Sequence, residues 1–330
     1  MTPDIMHDEQ HRDEAPGARR IDETRPRVGF IGMGGMGSRM ASRLLGAGYG
    51  VTVYNRARSR THPLEQRGAK VAGEPATLAA GADIVFSSVA DDAAVVSVLA
   101  GRGGALTAAR PGTIFVDMST VAPTTSRSLH EAAARKGMAF LDAPVSGTTS
   151  IAEQGKLVVF VGGEKAVYER CKPILSVLGR VSFHMGPAGS GAMMKLCVNT
   201  LLGVGMQALA EALALGLKGG LERDRLLDVI GQTAVVSPSQ VSKLRNAGSG
   251  AYPPEFPLRL MLKDFRLIAE TAMHLSAAMP GTAAALRTCS VEFDRQSAAG
   301  RDEDFSSIIR AMEHMARDST DASAADGLVV

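Results

Sequence analysis

The sequence predicts an α/β protein with a doubly wound, mostly parallel sheet, followed by an all-α domain entered through a long interdomain helix. Between residues 27 and 188, short β-branched runs alternate with helical stretches, and several runs are apolar throughout, as strands covered on both faces must be. After Gly189 the strand signal stops and only helical patterns continue. We therefore predict domains at 27–188 and 189–317, with disordered tails at 1–26 and 318–330.

The elements of the first domain follow in order. Its predicted strands are RVGFI, VTVY, AKVA, DIVFSSV, TIFVDMS, AFLDAPVS, KLVVFVGG and VSFHMG. Apolar residues recur at helical spacing between them, in GMGSRMASRLLGAG, ADDAAVVSVLAG, VAPTTSRSLHEAAARKG and EKAVYERCKPILSVLG.

The second domain opens on SGAMMKLCVNTLLGVGMQALAEALALGLKGG, which is apolar nearly all round. About 28 of these residues form a helix roughly 42 Å long, and a helix of this character must be buried on most sides. Further helices are predicted at about 222–235, 258–278, 281–299 and 303–316.

Composition restricts the class of protein. The chain has 330 residues, 45% of them hydrophobic and 21% charged, with a net charge of +2, so no nucleic acid or other polyanion is expected as a partner. The cysteines, Cys171, Cys197 and Cys289, form neither a disulfide framework nor a CxxC metal pair. Residues 1–26 lack the apolar core of a signal peptide, and no uninterrupted apolar stretch predicts a membrane span. We expect a cytoplasmic enzyme without a metal.

The glycine-rich stretch VGFIGMGGMGSRM, residues 28–40, predicts a dinucleotide site. Gly32, Gly34 and Gly37 fit the pattern G-x-G-x-x-G between a strand and a helix, as in Rossmann domains. There the first glycine allows the tight turn, the second lets phosphate approach, and the third lets helix and sheet pack closely. The predicted contact residues also include the intervening Met33, Gly35 and Met36. The alternative is an ordinary turn without a ligand.

The end of the second predicted strand favours NADP(H) over NAD(H). An NAD-preferring site places an acidic residue there, whereas this chain has Asn55 and Arg56, followed by Arg58 and Arg60. Asn55 cannot repel a 2′-phosphate, and the arginines can pair with one. A solvated basic turn is the alternative interpretation.

Three further places carry polar groups suited to chemistry. Ser146 and Gly147 end a strand and offer a cradle for a small carboxylate. Lys195 and Asn199 lie four residues apart, so on a helix they share one face of an otherwise apolar segment. Lys263 and Asp264 interrupt a further apolar helix. Each also has a structural interpretation: a turn, a lysine reaching solvent, and an internal salt bridge.

Together the motifs resemble the β-hydroxyacid dehydrogenases. The resemblance covers residues 27 to 316 and includes the glycine loop, DMSTVAP (117–123), DAPVSG (142–147), GSGAMMKLCVN (189–199) and LKDFRL (262–267). The family includes 3-hydroxyisobutyrate dehydrogenase, tartronate semialdehyde reductase and glyoxylate/succinic semialdehyde reductase. A helical domain like that of 6-phosphogluconate dehydrogenase, but shorter, is implied.

The resemblance implies roles for individual residues. Lys195 would be catalytic, Asn199 would orient the substrate beside it, and Ser146 with Gly147 would hold the substrate carboxylate. The implied cofactor contacts are Val89, Ala90, Thr120 in the nicotinamide pocket, and Lys263 reaching across from the helical domain. Thr148 stands where the family usually has a second glycine, so the carboxylate cradle could be narrower. A polar residue common near Ala94 is also missing.

The predicted reaction is hydride transfer between NADP(H) and a small semialdehyde or hydroxy acid. FPLRLMLKDFRL and DEDFSSII are nearer to the glyoxylate, succinic and tartronate semialdehyde reductases; 3-hydroxyisobutyrate dehydrogenase is the alternative. Imine reductases generally lack the lysine, and a non-catalytic dinucleotide-binding scaffold would be expected to have lost it. The apolar flank of the long helix predicts a homodimer or homotetramer.

Overall fold

The first domain contains a nine-stranded sheet. The computed structural model describes Asp22 and residues 24–323, with side chains as far as residue 317. Its strands are β1 (Val28–Ile31), β2 (Val51–Tyr54), β3 (Lys70–Val71), β4 (Ile84–Ser87), β5 (Ile114–Asp117), β6 (Ala139–Asp142), β7 (Val145–Ser146), β8 (Leu157–Gly162) and β9 (Gly179–Gly186). All eight predicted strands are present, and AFLDAPVS contains two, β6 and β7, on either side of Ala143 and Pro144.

The sheet is parallel where the glycine turn lies. Its order is β3-β2-β1-β4-β5-β6-β8-β7, and β9 also pairs with β8. Strands β1 to β6 pair in parallel, whereas β8 runs antiparallel to β6 and β7. The chain order reverses between β1 and β4, the topological switch point at which doubly wound sheets bind their ligands. The predicted fold class is confirmed.

Seven helices complete this domain among the described residues: α1 (Gly35–Gly46), α2 (His62–Glu65), α3 (Pro75–Ala80), α4 (Asp92–Ala100), α5 (Pro123–Ala134), α6 (Thr149–Glu153) and α7 (Lys165–Leu178). The prediction missed α2, α3 and α6, which are too short to show a helical period. Two clusters of buried side chains fill the two faces of the sheet, and in one of them the rings of Phe30 and Phe86 stack 5.7 Å apart across β1 and β4.

The second domain is all-helical among the described residues. It comprises α8 (Ser190–Lys218), α9 (Arg223–Gly231), α10 (Pro238–Ser249), α11 (Leu258–His274), α12 (Pro280–Ala298) and α13 (Ile308–Ser323). By length and apolar composition α8 would qualify as a membrane span. Here it packs against α11, α12, α13 and β8, with Met206 and Leu213 in the domain core.

Three predictions about this domain and the tails need correction. The polar helix α10 was missed, although Ser237 and Gln240 form a capping box at its start. The C-terminal tail was predicted from residue 318, yet α13 continues to Ser323. At the other end the predicted tail is already structured near Arg25, whose guanidinium donates to the Ala47 carbonyl at 2.6 Å. Residues 1–21, 23 and 324–330 lie outside the described part.

Candidate active site

The glycine turn at the end of β1 has the shape that a bound pyrophosphate needs. Gly32 has a φ of +98°, and a Cβ there would lie 2.2 Å from the Ser88 carbonyl oxygen. A Cβ on Gly37 would lie 2.0 Å from the Gly32 oxygen, so α1 packs directly on the turn. In contrast, a Cβ on Gly34 would meet nothing within 4 Å. Gly34 is the N-cap of α1 and no side chain caps that helix, so its amides can receive a phosphate. The residues fit a dinucleotide.

Asn55 stabilises this turn from the end of β2. Its side-chain oxygen accepts from the Met33 amide at 2.9 Å, and its nitrogen donates to the Ala57 carbonyl at 2.9 Å. The Met33 side chain is buried, whereas that of Met36 is partly buried against the sheet. Asn55 therefore positions the turn, a role that the sequence did not predict for it.

A basic surface adjoins the turn. Arg56, Arg58 and Arg60 are exposed, and within the described part of the chain none of them forms an ion pair. Arg60 lines an open groove of about 680 Å³ together with Gly34 and Gly35. A negatively charged group next to the turn would meet an unpaired guanidinium there.

The segments after β4 and β5 lie beside the turn. Val89 is partly buried, and its side chain lies 3.1 Å from the position of a Cβ on Gly32, whereas Ala90 is exposed. The carbonyl of Thr120 accepts from the Lys263 ammonium at 2.6 Å. Lys263 therefore reaches across the domain boundary to the segment after β5.

The N-terminus of α8 is fixed to the sheet by Asp142. This carboxylate, 1% exposed at the end of β6, accepts from the Gly189 and Ala192 amides, each at 2.8 Å. A Cβ on Gly191 would lie 2.4 Å from the Phe160 carbonyl oxygen, so glycine allows the helix to approach β8 closely. The helix that carries Lys195 is thus held at the same edge of the sheet as the glycine turn.

Lys195 has unusual surroundings for a lysine. Although part of the residue is accessible, burial of its ammonium lowers its pKa to about 8. The Asp264 carboxylate opposes this shift and the Lys263 charge adds to it. Among the described residues the ammonium has no hydrogen-bond or ion-pair partner. A lysine in this state is able to give and to take a proton near neutral pH.

Asn199, one turn further along α8, is oriented by Asp264. Its amide nitrogen donates to Asp264 Oδ2 at 2.5 Å, and Asp264 Oδ1 lies 2.7 Å from the Lys263 nitrogen. Because a carboxylate only accepts, the Asn199 carbonyl oxygen must point elsewhere; it is buried and lacks a donor within the described structure. The internal salt bridge weighed for Lys263 and Asp264 is present, and Asp264 also sets the direction of the Asn199 amide.

Ser146 ends β7, and Gly147 and Thr148 connect it to α6. Gly147 has a φ of +143°, and a Cβ on it would lie 2.8 Å from Leu157. Thr148 is the N-cap of α6 with a φ of −84°, and its hydroxyl accepts from the Ile151 amide at 3.3 Å. The backbone at this position requires no glycine. The departure from the family pattern thus gives α6 a cap.

Sequence reasoning missed two buried carboxylates. Asp117 and Asp142 are register partners at the ends of β5 and β6. Burial raises the pKa of Asp117 to about 6, while the Ser87 and Ser119 hydroxyls lower it. Burial also raises the pKa of Asp142. The available signal was an acidic residue ending an otherwise apolar strand in both TIFVDMS and AFLDAPVS.

A dinucleotide-binding turn at the switch point, with a desolvated lysine carried by the adjoining helical domain, defines a nicotinamide-dependent oxidoreductase. Residues 27–186 match the model for the NAD-binding domain of 6-phosphogluconate dehydrogenase. Residues 189–312 match the model described as NAD-binding of NADP-dependent 3-hydroxyisobutyrate dehydrogenase.

Similarity to individual proteins supports the same family. Glyoxylate/succinic semialdehyde reductase 1 of Arabidopsis thaliana is 38% identical over 87% of this chain and 98% of its own. The structure of 3-hydroxyisobutyrate dehydrogenase from Mycobacterium tuberculosis with L-serine is 30% identical, with a TM-score of 0.76 over 87% of this chain and 99% of that one. A structure of Psf3 with NADP⁺ and 2-OPP is 28% identical, with a TM-score of 0.77 over 86% and 99%. The chain belongs to the β-hydroxyacid dehydrogenase family and is an NAD(P)-dependent oxidoreductase acting on CH–OH groups.

Proposed function

We propose that this enzyme reduces a small carboxylate-bearing semialdehyde, such as glyoxylate, succinic semialdehyde or tartronate semialdehyde, with NADPH, and that Lys195 is the catalytic residue. The observation that carries the proposal is the ammonium of Lys195, desolvated and without a protein partner, on a helix attached to the edge of the sheet that holds the glycine turn. The similarity to glyoxylate/succinic semialdehyde reductase supports the substrate class.

A nicotinamide cofactor held at the glycine turn would supply the hydride that the carbonyl carbon accepts. The Lys195 ammonium stabilises the developing alkoxide and donates the proton that completes the alcohol. Lys263 and Lys195 are both positive against the single Asp264 carboxylate, so the site favours a substrate that brings a negative charge. Ser146 and Gly147 are proposed to hold that carboxylate.

Asn199 and Asp264 are proposed to orient Lys195. The buried Asn199 oxygen has no donor, and the Lys195 ammonium one turn earlier has no acceptor among the described residues. We propose that the lysine pairs with this oxygen when substrate binds, because Asp264 keeps the amide turned so that its oxygen is the free acceptor. The ammonium would then point one N–H bond at the substrate oxygen.

We further propose NADP(H) as the preferred cofactor. Asn55 is neutral and already engaged with the glycine turn, and Arg56, Arg58 and Arg60 offer guanidinium groups for a 2′-phosphate. The similar Psf3 structure holds NADP⁺. Replacing Arg60 by Ala should raise the KM for NADPH and leave that for NADH unchanged.

The test is a steady-state panel of glyoxylate and of succinic, tartronate and methylmalonic semialdehydes, each with NADPH and NADH. We expect the highest kcat/KM with NADPH and one of the first three substrates. The alternative function is that of a 3-hydroxyisobutyrate dehydrogenase, and the similarity to a structure of that enzyme supports it. A preference for methylmalonic semialdehyde together with NADH would establish that alternative instead.

We also propose a homodimer or homotetramer in the cytoplasm. Leu201 and Leu215 on α8 are 77% and 75% exposed, and a partner subunit would cover them. The three cysteines are free, which suits a reducing compartment. A stable monomer in light scattering at micromolar concentration would contradict the assembly.

A further inference from the structure

The segment that connects β4 to α4 forms one wall of the cleft at the switch point. A Cβ on Gly32 would collide with the carbonyl oxygen of Ser88, at 2.2 Å, so this wall touches the glycine turn directly. The Ser88 amide donates to the Ile31 carbonyl oxygen at 2.9 Å and so extends the hydrogen-bond pattern between β1 and β4 by one residue. Beyond that bond the wall leaves the sheet, and Asp92 at its far end accepts from the Ala122 amide and the Thr125 hydroxyl, so Val89 lies between two attached points.

One side chain holds Val89. Its amide donates to the Ser119 hydroxyl oxygen at 3.0 Å, and the same hydroxyl donates to Asp117 Oδ1 at 2.7 Å. The Ser87 hydroxyl also donates to Oδ1 at 2.7 Å, and all three polar side chains are at least 97% buried. Asp117 Oδ2 has no partner within the described structure.

The direction of these bonds follows from the chemistry of the groups. A carboxylate only accepts, so the Ser119 hydroxyl must give its proton to Asp117 and turn its lone pairs toward Val89. If Asp117 is protonated on the free Oδ2, Oδ1 still accepts and the arrangement is unchanged. The two serines therefore share an anchor, but only Ser119 reaches the cleft wall.

The adjacent residue connects this anchor to the other domain. Thr120 follows Ser119 directly, and its carbonyl accepts from Lys263 at 2.6 Å. Residues 117–120 thus contact the cleft wall through Ser119 and α11 through Thr120. A shift of this segment would move both sides of the nicotinamide pocket that the resemblance implies.

We infer that Ser119, anchored by Asp117, is a positioning residue that sets the Val89 wall of the cofactor cleft and thereby the affinity for NADPH. The inference rests on the proposed function only in taking Val89 as a cofactor contact. Ser119 itself touches neither the substrate nor Lys195.

The experiment compares Ser119→Ala, Ser119→Thr and Ser87→Ala. The dissociation constant for NADPH is measured by fluorescence titration, together with kcat and both KM values. Losing one hydrogen bond to the wall should weaken NADPH binding about three- to tenfold in Ser119→Ala. The kcat and the KM for the semialdehyde at saturating NADPH should stay near wild-type values. Ser119→Thr keeps the hydroxyl and should restore binding.

Ser87→Ala is the matched control because it removes an equivalent bond to Asp117 without touching Val89. It should bind NADPH like the wild type even if it is less stable. Equal weakening in both alanine variants, or none in Ser119→Ala, would overturn the inference. If Ser119→Ala does not fold, Ser119→Cys, with its weaker donor and acceptor, makes the same comparison. Failure of the proposed function looks different, because it would appear in the wild type, as a lack of semialdehyde reduction with NADPH, whereas the inference fails only in the comparison of NADPH dissociation constants among the variants.

Discussion

Two helices begin at the same edge of the sheet, and their N-termini are used in opposite ways. At α1 the N-cap is Gly34, no side chain caps the helix, and the space beside it is open. At α8 the first amides are occupied by the Asp142 carboxylate. A helix N-terminus attracts an anion in either case. One terminus therefore has free amides that can receive a phosphate, whereas the other is closed by a protein carboxylate, and this carboxylate joins the two domains.

The largest effect should come from replacing Lys195, which lies on α8, the helix whose N-terminus Asp142 closes. We expect Lys195→Ala to lower kcat for semialdehyde reduction by a factor on the order of 10² or more, because the alkoxide loses its proton donor. Cys197→Ala, at an exposed position on the same helix, is the control and should retain full activity. Near-normal turnover in Lys195→Ala would remove the lysine from the mechanism.

The open terminus can be tested by separating binding from folding. Gly34→Ala places a methyl group in open space, so stability should not change, while one lost amide–phosphate bond should raise the KM for NADPH about tenfold or more. Gly37→Ala drives a methyl group into the Gly32 carbonyl and should destabilise the fold by about 3 kcal/mol. Urea unfolding and steady-state kinetics measure the two effects. If Gly34→Ala binds NADPH normally, the phosphate lies elsewhere.

The closed terminus should show the reverse behaviour. Asp142→Ala leaves the Gly189 and Ala192 amides buried without an acceptor, so we expect a loss of about 2–4 kcal/mol in the free energy of unfolding. Asp142→Asn keeps one acceptor but turns an NH₂ group toward the other amide, and should lose less than the alanine variant. Denaturant titration without cofactor measures both. Unchanged stability would show that α8 is held by packing alone.

The smallest effect is a shift in pH dependence. In the proposed mechanism reduction requires the ammonium form of Lys195, so activity should fall as the pH rises through about 8. The Asp264 carboxylate raises this pKa and Lys263 lowers it. Asp264→Asn leaves only the lowering charge, and the alkaline limb of kcat should move to lower pH.

The other charges near α8 do not alter that expectation. Asp142 on β6 is bonded to the helix amides, and the Arg127 guanidinium on α5 lies beside Gly189, the N-cap of α8, six residues before Lys195. In the Asp142→Asn variant, the alkaline limb of the pH profile of kcat should therefore stay at the wild-type pH. An alkaline limb that stays in place in Asp264→Asn would contradict the assigned charge balance.

The parts of the fold that the sequence predicted correctly depend on local patterns. The glycine spacing, the apolar strands and the all-round apolar α8 are each readable within a short window, because turn sterics and burial act on neighbouring residues. Helix α10 was missed because its residues are mostly polar and its stabilising bonds include one from Gln240 to the Gly205 carbonyl, 35 residues away.

Several roles in the candidate site could not be predicted in this way. Asp142 contacts amides 47 and 50 residues further along the chain, and Asp264 contacts Asn199 at a separation of 65. Asn55 was predicted as a cofactor contact that tolerates a 2′-phosphate, yet it also holds the turn through Met33. Each of these contacts joins different elements, so no pattern within one element specifies the partner.

By itself, the sequence determined where the dinucleotide turn lies and which lysine and asparagine share a face of α8, since both follow from spacing along one element. Only the tertiary structure decided that Asp142 closes the terminus of α8, that Asp264 directs the Asn199 amide, and that burial lowers the pKa of Lys195. Burial and hydrogen-bond direction depend on which elements are in contact, and those contacts are set by packing across the whole molecule.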